Sequence, residues 1–115
     1  MNNKYYLALD LKDDPDLISE YERWHLKENS WPEIMQSIKE SGVEQMEIYR
    51  TGNRLFMVIE ASEQFDPKVK AEMDMNNPVV QKWEKLMLRF QQPLPWAKQN
   101  EKWVEMKKIF ALSDL

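Results

Sequence analysis

Residues 44–50 (EQMEIYR) and 54–60 (RLFMVIE) both alternate, and only Thr51-Gly52-Asn53 separates them. Period two on either side of a turn that tolerates positive φ predicts a β-hairpin. That hairpin constrains the rest of the chain, because a sheet with an apolar face must be covered by further elements. Residues 4–11 also alternate, with Tyr5, Leu7, Leu9 and Leu11 on one face and Tyr6, Ala8 and Asp10 on the other. Asp13-Asp14-Pro15 follows as a helix start, Asp14 as N-cap and Pro15 at the first helical position. Leu17, Ile18, Tyr21, Trp24 and His25 recur at helical intervals, placing His25 on the apolar stripe. A break near Asn29-Ser30, with Ser30 and Glu33 as a capping box around Pro32, predicts a second helical piece ending at Gly42.

Beyond the hairpin, Asp66-Pro67 opens a weak helix over residues 67–77. Asn77-Pro78 opens a stronger one, with Val79, Val80, Trp83, Leu86, Met87 and Phe90 on one face. Pro93 and Pro95 exclude helix and central strand from residues 92–100, which read as an extended arm. Residues 102–110 predict a last strand. The order strand, helix, strand, strand, helix, strand is the ferredoxin-like βαββαβ pattern, an α+β fold in one domain over residues 1–115. No helix remains for the sheet face bearing Tyr6 and Ala8. Apolar surface left open in this way predicts a homodimer closed sheet to sheet, a dimeric α/β barrel.

Composition narrows the function. The chain has 115 residues, enough for one core, and 16 Lys+Arg against 20 Asp+Glu give a net charge of -4. Its lysines are scattered among acids and apolar residues, so neither nucleic acid nor a membrane surface is an expected partner. The absence of cysteine excludes disulfides, zinc–thiolate sites and thiol catalysis, and fits a cytoplasmic protein. The opening Met1-Asn2-Asn3-Lys4-Tyr5-Tyr6 reads as neither signal peptide nor membrane span. Five Trp and eight Met are more than so small a core requires; they read first as packing residues, with lining a pocket as the second reading.

His25 is the only histidine. It stands one helical turn after Tyr21, beside Trp24 and shortly before Trp31. One reading is a core histidine bonded to a backbone carbonyl, with its neighbours as ordinary packing. The other is an acid/base group in a cleft, because Glu47, Tyr49, Arg50 and Glu60 on the hairpin and Trp83-Glu84 on the later helix could converge beside it. One histidine supplies only one metal ligand, a site built of carboxylates alone shows no motif, and no glycine-rich loop is present to cradle phosphates.

The runs EYERWH (20–25), WPEI (31–34), MEIYR (46–50) and VQKWEKLM (80–87) resemble the L-rhamnose mutarotase family over nearly the whole chain. The resemblance implies a ferredoxin-like dimer that interconverts the α and β anomers of a deoxy-hexose without metal or cofactor. It implies that His25 is the proton donor, that Tyr21 binds sugar and that Trp83 stacks on the ring. Tyr49, Met46 and Glu84 complete the expected substrate contacts. Met46 stands where the rhamnose enzymes can carry a tyrosine, and Glu84 replaces the second member of a tryptophan pair. Those departures bring L-fucose into question beside L-rhamnose. The chemistry suits the residues, since one imidazole can both accept and return a proton near neutral pH. Two other readings use the same architecture: a small monooxygenase or haem-binding protein, and a ligand-binding module without catalysis.

Overall fold

A computed structural model describes residues 2–115. Strand β1 (Asn3–Leu11) leads through α1 (Pro15–Trp24) and α2 (Pro32–Glu40) into the hairpin β2 (Val43–Thr51) and β3 (Arg54–Ala61). Helices α3 (Pro67–Met75) and α4 (Pro78–Met87) follow, then two short strands, β4 (Gln91–Gln92) and β5 (Val104–Glu105). The sheet order is β2-β3-β1-β4, with β5 also pairing β1, and every pairing is antiparallel. This is the ferredoxin-like arrangement expected from the element order. No helix among the described residues is long and apolar enough to cross a membrane.

Local chemistry explains the helix starts. The side chains of Asp14, Asp66 and Asn77 each accept hydrogen bonds from the first backbone N–H groups of α1, α3 and α4, and a proline follows each cap. The capping box expected at α2 does not form. Trp31 is the N-cap and supplies no side-chain bond, while Ser30 Oγ donates 2.8 Å backward to the Lys27 carbonyl. A single turn of 3-10 helix at Lys27–Asn29 turns Ser30 away from α2. At Gly42 the chain turns into β2 with φ of 103°, and an added Cβ would lie 3.2 Å from Ser62 Oγ. Glycine is needed there for conformation and for space.

Phe90, Leu9, Leu11 and Leu55 are fully buried. Two apolar clusters form, one around Leu11, Tyr21, Leu55, Met87 and Phe90, the other around Val43, Met57, Ile59 and Ala61. Ile48 and Trp103 pack against both. On the opposite sheet face Tyr6 and Tyr49 are exposed, as expected of an uncovered surface, but Ala8 is buried within the single chain. The arm crosses near the other end of that face. Buried Asp10 binds Arg54 through both carboxylate oxygens, at 2.7 and 3.2 Å, and the Arg54 guanidinium lies 4.9 Å from the Trp96 ring centre.

The last strand is far shorter than expected from residues 102–110. Only Val104–Glu105 pairs with β1, and one further bond, Met106 N–H to the Tyr6 carbonyl at 2.8 Å, ends the ladder. Lys107-Lys108-Ile109-Phe110 breaks the alternation, so no single face of this segment is apolar. Ile109 and Phe110 are exposed.

Candidate active site

Between the helices and the sheet lies a cavity of about 450 Å³, within the range of small-molecule sites. The sheet lines it with Tyr5, Leu7, Met46, Ile48, Met57 and Ile59. This follows from the register, because these residues alternate onto one face of β1, β2 and β3. Helices α1, α2 and α4 add Tyr21, Ile34, Ser37, Ile38, Trp83, Glu84 and Met87. The wall is largely apolar, so each polar group in it matters.

His25 is the C-cap of α1, one residue past the helix end, and not a mid-helix core residue. Its Nδ1 lies 2.7 Å from the Tyr21 carbonyl oxygen. A carbonyl has no hydrogen to give, so Nδ1 carries the hydrogen and donates it. In the neutral ring Nε2 is therefore the bare nitrogen. The backbone bond expected of a structural histidine is present, yet the ring also lines the cavity. His25 as a residue is exposed to solvent. The partial burial of its ring in the cavity wall nonetheless draws the imidazole below its usual 6.5, and the bond to the Tyr21 carbonyl opposes that shift more weakly. Neutral His25 thus prevails at pH 7.

Aromatic rings fix this imidazole. The Tyr21 ring centre lies 4.3 Å from it and the Trp83 ring centre 5.6 Å, the latter edge to face. Trp83 is held edge to face by Trp31 at 5.2 Å and by Trp24 at 6.5 Å. Such pairs each add about 0.5–1.5 kcal/mol beyond burial, which favours one orientation of the indole. Burial pushes the Tyr21 phenol up to about 12, with a side-chain bond from Gln91 pulling the other way. Tyr21 therefore keeps its hydrogen at every physiological pH and serves as a donor.

Further polar groups line the cavity. Lys70 Nζ and Asp74 Oδ2 pair at 2.6 Å and neutralise each other. Glu84 on α4 and Lys102, just before β5, also line it. Burial draws the Lys102 ammonium below its ordinary value, opposed by the nearby charge of Glu84.

Of the residues expected from the sequence, Tyr21, His25, Met46, Trp83 and Glu84 line this one cavity. Tyr49 does not. Pairing with Phe56 in the hairpin register, it lies on the face opposite Met46 and Ile48 and is more than half exposed. Glu47 lies on that same outer face, and Glu60 accepts a bond from Asn2 there. Arg50 is engaged by Glu22 and by the Gly52 carbonyl. None of these three lines the cavity. Gln91, Lys102 and Trp103 do, although the sequence reading missed them.

The fold and the cavity define a small α+β protein with a largely apolar chamber between an aromatic wall and a single imidazole. The L-rhamnose mutarotase family model matches residues 4–112. The chain belongs to that family, and is an isomerase of the aldose 1-epimerase type. It is 47% identical over 107 residues to an L-fucose mutarotase of Xanthomonas campestris pv. campestris, covering 93% of this chain and 86% of the relative. It is 35% identical over 112 residues to a UPF0734 protein of Dictyostelium discoideum, covering 94% and 88%. Two solved structures share the fold. An L-rhamnose mutarotase from Formosa agariphila superposes with a TM-score of 0.68 at 22% identity, covering 96% of this chain and 98% of the other. Tetracenomycin F2 cyclase from Streptomyces glaucescens, a polyketide cyclase, superposes at 0.59 with 16% identity, covering 93% and 97%. The sequence matches favour a sugar isomerase over the haem-binding and non-catalytic alternatives.

Proposed function

We propose that this protein interconverts the α and β anomers of a free deoxy-hexose, L-fucose ahead of L-rhamnose, with His25 moving the proton. The observation that carries this reading is the 2.7 Å bond from His25 Nδ1 to the Tyr21 carbonyl, which leaves Nε2 as the base of a ring lining the cavity. Nε2 takes the hydrogen of the anomeric hydroxyl. As the bond from C1 to the ring oxygen breaks, the same nitrogen returns a proton to that oxygen. Both oxygens are attached to C1, so one nitrogen serves both transfers. The open aldehyde rotates about its C1–C2 bond and recloses on its other face by the reverse steps, leaving His25 as it began.

Trp83 offers the ring face against which a sugar stacks, and Tyr21 donates a hydrogen bond. Glu84 accepts hydroxyl hydrogens where an indole could not, which supports the preference for L-fucose. The identity to an L-fucose mutarotase supports it as well. Exposed Tyr6 and Tyr49, together with the bare apolar side chains of Ile109, Phe110, Leu112 and Leu115, support a homodimer. A chain without cysteine suits the cytoplasm. Saturation-transfer NMR on equilibrated L-fucose tests the activity directly. Catalytic amounts of protein should exchange magnetisation between the two anomeric protons, and no exchange with any deoxy-hexose would refute the assignment.

A further inference from the structure

The arm leaves the edge of β1 after Gln91-Gln92 and rejoins it just before Val104, so Gln91 and Lys102 stand at its two feet. Both line the cavity that holds His25, and both also line a second hollow, of about 530 Å³, beneath the arm. They are the residues through which the arm touches the site.

Each brings an unused polar group. Gln91 is only 8% exposed, and its Oε1 has no hydrogen-bond partner. Its side chain also lies beside the Tyr21 phenol, whose pKa it lowers. The acceptor half of this buried amide is therefore unsatisfied, a state that costs stability unless a ligand relieves it. Lys102 is the complement. It is half-buried and, among the described residues, no carboxylate lies within ion-pairing range of its Nζ. Glu84 acts on it only through space. The other cavity lysine, Lys70, is already paired with Asp74.

We propose that Gln91 and Lys102 form a hydroxyl-reading pair that determines sugar specificity, Gln91 Oε1 accepting from, and Lys102 Nζ donating to, one hydroxyl of the bound sugar. A hydroxyl both donates and accepts, so a single group satisfies both residues at once. A sugar with a hydrogen at that position leaves a buried acceptor and a desolvated cation unpaired, and is rejected for that reason. The pair's effect falls on binding.

This inference rests on the mutarotase reading for its substrate class, and its test separates the two. Lys102→Met is the decisive variant, because Lys102 makes no bond to Tyr21 and is not fully buried. Its KM for L-fucose should rise roughly tenfold or more, the scale of one hydrogen bond to a charged group, with kcat held. Lys102→Arg should restore much of the affinity. Gln91→Met should also raise KM, since it loses the acceptor for the sugar hydroxyl, and an unchanged KM there would count against the pair. Among monodeoxy analogues of L-fucose, one should bind wild type and Lys102→Met equally. An unchanged KM in Lys102→Met, or a penalty that no deoxy analogue erases, would overturn the pair. If the wild type exchanges no anomers, the mutarotase reading fails, and the dissociation constants of the same proteins for L-fucose then judge the pair alone.

Discussion

His25 Nδ1 and the Tyr21 carbonyl oxygen, one helical turn apart, are joined by a 2.7 Å hydrogen bond that selects the tautomer of the only imidazole in the chain. The bond uses the last turn of α1, where the carbonyls have no helical partner further on. Helix termination itself thus orients the base.

Replacing His25 by Asn or Ala should lower anomer exchange by about 10²-fold or more, the usual contribution of a positioned acid/base group. Neither change adds charge or proline, so circular dichroism and the unfolding midpoint should stay close to wild type. Wild-type exchange in His25→Ala would assign the ring a purely structural role.

The pH dependence has a definite sign. Burial lowers the His25 pKa, so the active neutral form is held to lower pH than in a free imidazole. The pH profile of kcat/KM should be flat through neutrality and fall on the acid side with a midpoint below 6.5. Stability shares the direction. The unfolded chain takes up the proton at the usual value before the folded one does, so this contribution is full above 6.5 and is lost as pH falls through the folded pKa. A midpoint above 6.5 would contradict the desolvated environment.

Tyr21→Phe should be milder than His25→Asn. The ring remains to pack against Phe90 and His25, and only the hydroxyl is lost. KM should rise more than kcat falls, which steady-state exchange rates at varied sugar would resolve.

Glu84→Trp tests sugar choice. A carboxylate that accepts from a hydroxyl is replaced by an indole that can only stack, so the ratio of rates on L-fucose and L-rhamnose should move toward L-rhamnose by about tenfold or more. A constant ratio would show that Glu84 makes no sugar contact.

Light scattering checks the assembly. At micromolar concentration the mass should be twice the 13.9 kDa of one chain. Tyr49→Lys together with Tyr6→Lys, which charges the outer face, should shift the population toward monomer.

The sequence disclosed the parts of this fold whose physics is local. The hairpin, the proline-led helix starts and the spacing from Tyr21 to His25 all follow from neighbours a few residues apart. Tyr49 could have been excluded by the same logic, since it is an odd number of residues from Met46 and strand alternation sends it to the other face. Gln91, Lys102 and Trp103 carry no such signal. They reach the cavity through β4 and β5, each of two residues, and a two-residue strand shows no period. Their placement depends on pairing with β1, which lies more than 75 positions earlier in the chain. The long last strand expected over residues 102–110 stops early, because Lys107-Lys108 ends the alternation where the ladder ends.

The pairing of β5 with β1 also bears on synthesis. The cavity draws Tyr5 and Leu7 from the first strand and Lys102 and Trp103 from the last pass across it. A chain that stops before Lys102 lacks one wall of the cavity and the Trp103 side chain that packs against both core clusters. Binding competence therefore arrives with the final segment. A nascent or proteolytically clipped chain that stops within the arm has the imidazole but no enclosed chamber around it.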